Sequence, residues 1–199
     1  MNLPKLTTIT CWGLTKSVNA YIMKPKNITE LQQCIIIGKN HGLQIAIKAG
    51  GNSYTDVFMN SNQLLIDISN LKSIKHFDVE KGIVTVESGI RIGDLLEKIL
   101  AKNWCLVGLS GSVNDEIGGM ISSNTHGKDS WSQGNFSQNI ISLKLLVADG
   151  TIIEIDRNDD SELFNGVVGG LGFLGIIVEA TMKLKRIPSN IVQINSIKI

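Results

Sequence analysis

Three glycine-bearing segments, residues 49–56, 111–126 and 169–177, carry the residue types best suited to binding chemistry. In the first segment, Gly50 and Gly51 directly follow an alternating apolar run. Paired glycines let consecutive backbone N–H groups turn toward one point, and such a concave row of amides binds an anion without a lysine. The same residues also form ordinary surface turns. This segment alone therefore leaves two interpretations open, an anion site and a plain turn.

The second segment holds His126 within the run Asn124-Thr-His-Gly-Lys128. An isolated histidine is usually structural or exposed. Here it lies in a polar stretch, residues 108–134, and long loops are uncommon in compact domains unless they serve a function. Residues 115–123 predict one or two helical turns whose N-terminal amides face outward. No second histidine or carboxylate pair stands at metal-ligand spacing nearby, so no metal site is predicted.

The third segment contains Gly170-Leu-Gly-Phe-Leu-Gly175, which satisfies the G-x-G-x-x-G pattern. In a Rossmann fold that pattern follows a strand and begins a helix. Here a helix is predicted before the glycines, over 162–168, and a strand after them, over 176–184, so this type of site is excluded. The glycines still mark a place where backbone approaches a ligand or another strand. Three such segments with almost no acid–base residues predict an extended cofactor that carries the chemistry itself.

The remaining elements are predicted from periodicity and from cap and turn residues. Asn27 is the expected N-cap of a first helix, and Asp149-Gly150 is typical of a hairpin. A mixed sheet is expected. The alternating stretch 191–199 is typical of a strand whose partner is missing, so the protein is expected to continue past residue 199. The predicted helices are 27–40 and 91–102, and the predicted strands are 44–48, 63–69, 74–79, 83–88, 104–107, 140–147 and 151–155.

Composition narrows the class of protein. The 199 residues carry a net charge of +1, which gives no electrostatic basis for binding nucleic acid or an anionic membrane. Cys11, Cys34 and Cys105 form no closely spaced pair, which favours a reducing compartment. No signal peptide and no transmembrane segment is predicted, because no apolar run approaches ~18 residues. A cytoplasmic location is expected, with peripheral membrane contact left open.

Four motifs stand in a fixed order along the chain: Gly51-Asn-Ser-Tyr-Thr-Asp56, Ile117-Gly-Gly119, Ala148-Asp-Gly150 and Gly169–Ile177. Together they resemble the FAD-binding (PCMH-type) domain of the vanillyl-alcohol oxidase and p-cresol methylhydroxylase family, from about Thr7 to Pro188. The resemblance implies an α+β fold of two α/β subdomains with mixed sheets and FAD between them. It places the subdomains at 1–70 and 71–187 and a linker into a missing substrate domain at 188–199.

The family likeness also implies an activity, flavin-dependent oxidation of a sugar or alcohol carbon. Within the family, the chain is most similar to the branch that oxidises decaprenylphosphoryl-ribose, a lipid-linked sugar. That branch suggests a reductase partner for a two-step epimerisation. Two alternatives stay open, an aldonolactone or alditol oxidase of the same family and a non-catalytic protein that keeps the fold for binding. The similarity to this branch rests on Cys11-Trp-Gly13, Ser53-Tyr54 with Asp56, His126-Gly-Lys128, Gly134-Asn-Phe136 and Glu162-Leu-Phe164.

The resemblance assigns roles to individual residues. Tyr54, His126 and Lys128 would face the flavin or the sugar as catalytic residues. Asn52 stands where relatives that tether flavin covalently have histidine, which implies non-covalent FAD. Thr55 stands where the most similar relatives have glycine, and a β-branched residue resists positive φ. The residues implied to contact FAD are Ile47, Lys48, Ala49, Gly50, Gly51, Asn52, Ser53, Tyr54, Thr55, Asp56, Val57, Gly111, Glu116, Ile117, Gly118, Gly119, Ser123, Asn124, Thr125, His126 and Ile177.

Overall fold

The structure, a computed structural model, describes residues 3–191. The strand predicted over 191–199 lies almost wholly outside the described residues. The strands are β1 (Leu6–Thr10), β2 (Ser17–Met23), β3 (Ile45–Lys48), β4 (Leu64–Asp67), β5 (Ile74–Asp78), β6 (Ile83–Glu87), β7 (Trp104–Cys105), β8 (Ile140–Leu146), β9 (Ile152–Asp156), β10 (Ile176–Lys183) and β11 (Lys185–Arg186). The helices are α1 (Ile28–Asn40), α2 (Ile92–Leu100), α3 (Ile117–Ser122), α4 (Ser130–Gln133) and α5 (Ser161–Val167), with a 3₁₀ turn at Phe136–Asn139.

The first sheet has the strand order β1-β2-β4-β3 and is mixed, as expected. β1 and β2 pair antiparallel, whereas β4 runs parallel to both β2 and β3. Helix α1 covers this sheet, and its predicted cap is confirmed because the Asn27 side chain accepts a hydrogen bond from the Glu30 amide at 2.9 Å. The helix buries Leu31 and Cys34 against the sheet. Cys34 is therefore a core residue.

The second sheet has the order β5-β6-β10-β8-β9 and is antiparallel throughout. It differs from the expected mixed sheet because tight hairpins join its outer strands, and a tight hairpin reverses the chain direction. The predicted Asp149-Gly150 hairpin is confirmed. The Asp149 carboxylate accepts the Thr151 amide at 2.8 Å, and Gly150 adopts a φ of 93°. Helices α2, α3 and α5 pack on this sheet around one large apolar core.

The two sheets meet where Gly89, which follows β6, packs against residues 68–71, the start of the segment that leads from β4 to β5. A Cβ on this residue would lie 2.1 Å from the Ile68 carbonyl oxygen and 2.8 Å from that of Leu71, so only glycine allows this approach. Leu146 and Val178 of the second sheet extend the apolar core of the first. The edges of the two sheets are thereby held together, and the polar segments lie beside that junction.

Some elements were not predicted, namely β1, β2, α4, the 3₁₀ turn and β11. Strand β1 is largely exposed and threonine-rich, so it lacks the apolar alternation that identifies a half-buried strand. It forms through five cross-strand residue pairs with β2. Strand β7 is shorter than predicted and ends at Cys105. Among residues 3–191, no helix combines the length and apolar composition needed to cross a bilayer.

Candidate functional site

A cleft with a cavity volume of about 260 Å³ lies at the junction of the two sheets. All three glycine-bearing segments contribute to its wall, so they converge as predicted. Residues that the sequence did not single out complete the wall. The lining residues are Ile47, Ala49, Gly50, Gly51, Asn52, Ser53, Val57, Phe58, Ile68, Asp115, Glu116, Gly118, Gly119, Met120, Ser122, Ser123, Thr125, Leu171, Gly172, Gly175, Ile176 and Ile177.

The first wall is the loop that follows β3. Within the described chain, none of the backbone N–H groups of residues 50–55 donates a hydrogen bond to a backbone carbonyl. Gly51 has a φ of 70°, whereas Thr55 is not among the residues with positive φ. A Cβ on Gly50 would lie 3.2 Å from the Asn114 carbonyl oxygen, so glycine lets this loop approach the second segment closely. The loop thus offers free amides to the cleft, which is the arrangement of an anion site.

The second wall is formed by α3, and here the prediction of outward-facing amides was wrong. The amides of Ile117 and Gly118 donate to the carbonyl oxygens of Ile90 and Ser88, at 3.1 and 2.7 Å. The cause is an isolated β-bridge between Arg91 and Glu116, which sets the start of α3 against the preceding segment. The first two amides of α3 are therefore not available to a ligand.

A side-chain hydrogen bond joins the first two walls. The Asn52 amide donates to the Asp115 carboxylate at 2.7 Å and to the Asn114 carbonyl oxygen at 3.2 Å. The other Asp115 oxygen accepts the Ser110 hydroxyl at 2.5 Å. This contact explains what Asn52 does in this chain, and it identifies Asp115 as a site residue that sequence reasoning missed. An acidic residue in a polar loop carries no local signal of such a partner.

Two buried carboxyl groups lie beneath the cleft, Asp67 and Glu116. Lys48 and Lys24 bind the Asp67 carboxylate at 3.2 and 3.3 Å. Burial by itself would raise the pKa of Asp67, but a hydrogen bond from Ser69 and the charge of Lys48 lower it overall. Burial raises the pKa of Glu116 to about 7 against the opposing charge of Lys48. Asp67 is therefore ionised at neutral pH, whereas Glu116 titrates near neutral pH.

The third wall is the glycine-rich turn after α5. Leu171, Gly172 and Gly175 have φ values of 52°, 81° and 152°, and all three line the cleft. A Cβ on Gly175 would also lie 2.7 Å from the Leu146 carbonyl oxygen. The turn thus approaches both a neighbouring strand and the cleft. Helix α5 precedes it and β10 follows it, which is the predicted order and the reverse of a Rossmann turn.

Comparison with known proteins identifies the family. Residues 19–156 match a family described as FAD binding domain. The chain belongs to this family of FAD-binding domains. The predicted resemblance to PCMH-type domains and the α+β fold are thereby confirmed, and FAD is the cofactor of the family. These residues include most strands of both sheets and the first two walls of the cleft, whereas β1, β10 and the third wall lie outside the matched range.

Two relatives with curated names are oxidases. This FAD-binding domain is 30% identical to decaprenylphosphoryl-beta-D-ribose oxidase of Mycolicibacterium smegmatis over 87% of this chain and 38% of that protein. It is 34% identical to D-arabinono-1,4-lactone oxidase of Yarrowia lipolytica over 80% of this chain and 31% of that protein. The chain therefore spans less than half the length of these relatives.

Solved structures agree on the fold. The BBE-like 1 protein of Physcomitrella patens superposes with a TM-score of 0.81 at 19% identity, over 88% of this chain and 39% of that one. A chitooligosaccharide oxidase superposes with a TM-score of 0.78 at 20% identity, over 91% of this chain and 41% of that one.

Several residues predicted to act in this FAD-binding domain lie outside the cavity wall. The Tyr54 ring is exposed and packs edge-on against Trp12, with centroids 4.7 Å apart. Asp56 pairs with Lys16 at 2.5 Å. His126 and Lys128 are exposed on the segment that continues from the second wall. The predicted residues that do not line the cavity are Lys48, Tyr54, Thr55, Asp56, Gly111, Ile117, Asn124, His126 and Lys128.

The residues that line the cleft suit the chemistry of a dinucleotide such as FAD. Free backbone amides at residues 50–53 provide donors for a diphosphate, and apolar side chains such as Ile47, Val57 and Phe58 provide contact area for rings. Glycines at the closest approaches keep the cleft open. A Cβ on Gly119, for example, would lie 3.3 Å from the Ala49 Cβ. Among residues 3–191, no group of three or more His, Cys, Asp or Glu side chains is placed to hold a metal ion.

Proposed function

We propose that this chain is the FAD-binding part of a flavin-dependent oxidoreductase that oxidises a CH–OH carbon of a sugar. The observation that carries the proposal is the convergence of three glycine-bearing segments on one cleft in a chain of the FAD-binding family. FAD is held without a covalent bond, because the position of the tethering histidine is Asn52, whose amide is engaged by Asp115. When bound, FAD supplies the hydride acceptor.

The protein's own residues have distinct tasks in this proposal. The free amides of residues 50–53 bind the diphosphate, and the apolar part of the wall excludes water from the cofactor. Tyr54, His126 and Lys128 face the flavin or the sugar. Their exposure supports this role, because a residue that contacts substrate must be open on one side. The subdomain boundary at residue 70 and the linker from residue 188 belong to the same proposal.

The preferred substrate is a lipid-linked ribose, with an aldonolactone as the second candidate. The first rests on the matching motifs around Trp12, Tyr54 and His126 and on the ribose oxidase relative. The second rests on the lactone oxidase relative, whose identity is 34%. Full-length protein would be incubated with decaprenylphosphoryl-ribose and, separately, with free sugar lactones while flavin reduction is followed. Reduction by lactone alone would exclude the preferred substrate.

A lipid-linked substrate has consequences for location and partners. It implies a cytoplasmic protein that contacts the membrane peripherally, together with a reductase that completes a two-step epimerisation. Fractionation of cells producing the full-length protein would test the first point. Recovery wholly in the supernatant, with no protein on membranes, would favour the lactone candidate instead.

FAD binding is tested by comparing two glycines. Gly51 in the cleft and Gly42 after α1 have nearly equal φ values, 70° and 65°. Replacing either by alanine costs about 1–2 kcal/mol of backbone strain. A Cβ on Gly51 also meets the Lys48 side chain at 2.9 Å, whereas Gly42 faces open space. We expect both variants to lose similar stability but only Gly51→Ala to lose FAD affinity, measured by flavin fluorescence.

Two results would contradict the proposal. If the protein refolded with FAD shows no flavin absorbance, the chain does not bind FAD under these conditions and the non-catalytic alternative gains support. If Gly42→Ala weakens FAD binding as much as Gly51→Ala, the effect reflects lost stability and not the cleft.

A further inference from the structure

Glu116 is a buried carboxyl group that the proposed function does not use. Glu116 is 4% exposed and lines the cleft. Its Oε2 atom is buried without a hydrogen-bond partner in the described chain. An unpartnered buried polar atom is costly, because it has lost water and gained no replacement. A role of this carboxyl group in ligand binding would explain why the cost is tolerated at the wall of a binding site.

We infer that Glu116 takes up a proton when the diphosphate of FAD enters the cleft, so that dinucleotide binding and protonation of this carboxyl group are coupled. The inference rests on the proposed FAD site and adds a titrating group to it.

The position of Glu116 puts it close to the free amides of the first wall. Its backbone nitrogen lies 3.6 Å from where a Cβ of Gly50 would be, so the two walls touch at this point. Glu116 itself precedes α3, and the β-bridge to Arg91 fixes the backbone there. A diphosphate on the amides of residues 50–53 would place negative charge near a carboxyl group that water screens poorly.

Four charged groups on neighbouring elements act on Glu116. Lys48 ends β3, Asp67 ends β4, Lys24 follows β2, and Arg91 precedes α2. The third wall, residues 169–177, contributes no charged side chain. Ionised Asp67 already balances one of its two lysines. With Glu116 protonated, the cations Lys24, Lys48 and Arg91 outnumber Asp67 by two charges, and ionised Glu116 reduces that excess to one.

The direction of the linkage follows from these charges. Burial raises the pKa of Glu116 to about 7, so both protonation states are populated near neutral pH. An added anion disfavours the ionised carboxylate and raises its pKa further, which draws a proton from solvent. The affinity for FAD is then highest below pH 7, and it decreases as the pH rises through the pKa that Glu116 has in the FAD-bound protein. If bound FAD raises the pKa of Glu116 by about one unit, the affinity for FAD falls about tenfold between acid and alkaline pH, and FAD binding takes up about half a proton at pH 7.5.

The test is calorimetric titration of FAD into the protein in buffers of different ionisation enthalpy, from pH 6 to 9. Wild type should take up about half a proton per FAD near pH 7.5 and bind about tenfold more weakly at pH 9 than at pH 6. Glu116→Gln, which keeps shape but cannot titrate, should show neither effect. The matched control is Glu97→Gln on α2, where the side chain is 74% exposed. It should behave as wild type.

A second measurement does not depend on the variant's affinity. An infrared difference spectrum at pH 8 should show a protonated carboxyl band when FAD is added to wild type, and no such band with Glu116→Gln. If wild type binds FAD without proton uptake, or if Glu116→Gln takes up as many protons as wild type, the inference is overturned. If none of the three proteins binds FAD at any pH, the proposed function fails and the inference fails with it.

Discussion

The hydrogen bond between Asn52 and Asp115 offers the sharpest test of how the cleft is held together. Asn52→Ala removes the donor that joins the first wall to the second. The loop 50–55 has no backbone hydrogen bonds to hold it within the described chain, so this side chain is its main link to the second segment. Without the link, the loop gains conformational freedom that FAD must remove on binding.

The size of the effect follows from the type of bond. A hydrogen bond to a charged acceptor contributes about 1.5–3 kcal/mol. Asn52 is only partly buried, so the lower limit applies, about 1.5 kcal/mol. If FAD binding to Asn52→Ala has to supply that free energy to order the loop, the Kd for FAD is about tenfold higher than in wild type. The free energy of unfolding without FAD should fall by no more than about 1.5 kcal/mol.

The assay is fluorescence titration of FAD, with urea unfolding measured in parallel. The control is Asn60→Ala, because the Asn60 amide also makes a 2.8 Å bond, to Gln44, but away from the cleft. It should leave the Kd unchanged. In a double-mutant cycle, Asn52→Ala combined with Asp115→Ala should cost less than the sum of the two single variants, because only the longer bond to the Asn114 carbonyl oxygen is left for Asn52→Ala to remove. A Kd for Asn52→Ala within about twofold of wild type, or fully additive costs, would refute the role of the bond.

Three further predictions concern stability, pH dependence and reactivity. Gly89→Ala should destabilise the fold by more than about 3 kcal/mol in urea unfolding, because the added Cβ would lie 2.1 Å from a backbone carbonyl oxygen. The control is Gly111→Ala, whose added Cβ would meet no atom within 4 Å, and its stability should be close to that of wild type. Burial would raise the pKa of Glu87, but hydrogen bonds from Lys75 and Ser73 lower it overall. The ionised carboxylate therefore stabilises the fold above about pH 4.3, and this contribution is lost as the pH falls. In urea unfolding, Glu87→Gln should lose less stability than wild type when the protein is moved to acid pH. His126→Ala in the full-length protein should keep FAD binding but change the rate of flavin reduction by substrate, and an unchanged rate would argue against its proposed role.

Much of the local structure could be predicted from the sequence. Asn27 marks the start of α1, and Asp149-Gly150 marks the β8–β9 hairpin, because caps and turns depend on residues a few positions apart. The order of α5, glycines and β10 excluded a Rossmann site for the same reason. The glycine pairs also marked the cleft, since glycine at a close approach is required by backbone sterics alone.

What the sequence determined by itself was therefore the type of most elements, the three segments of the site and the family resemblance. Only the tertiary structure decided that β10 lies antiparallel between β6 and β8, that Asn52 reaches Asp115, and that the first amides of α3 are already occupied. It also decided the raised pKa of Glu116, since an identical glutamate on the surface would be ionised at neutral pH. Pairing, burial and charge environment depend on residues far apart in the chain, and their effects exist only once the two sheets have packed together.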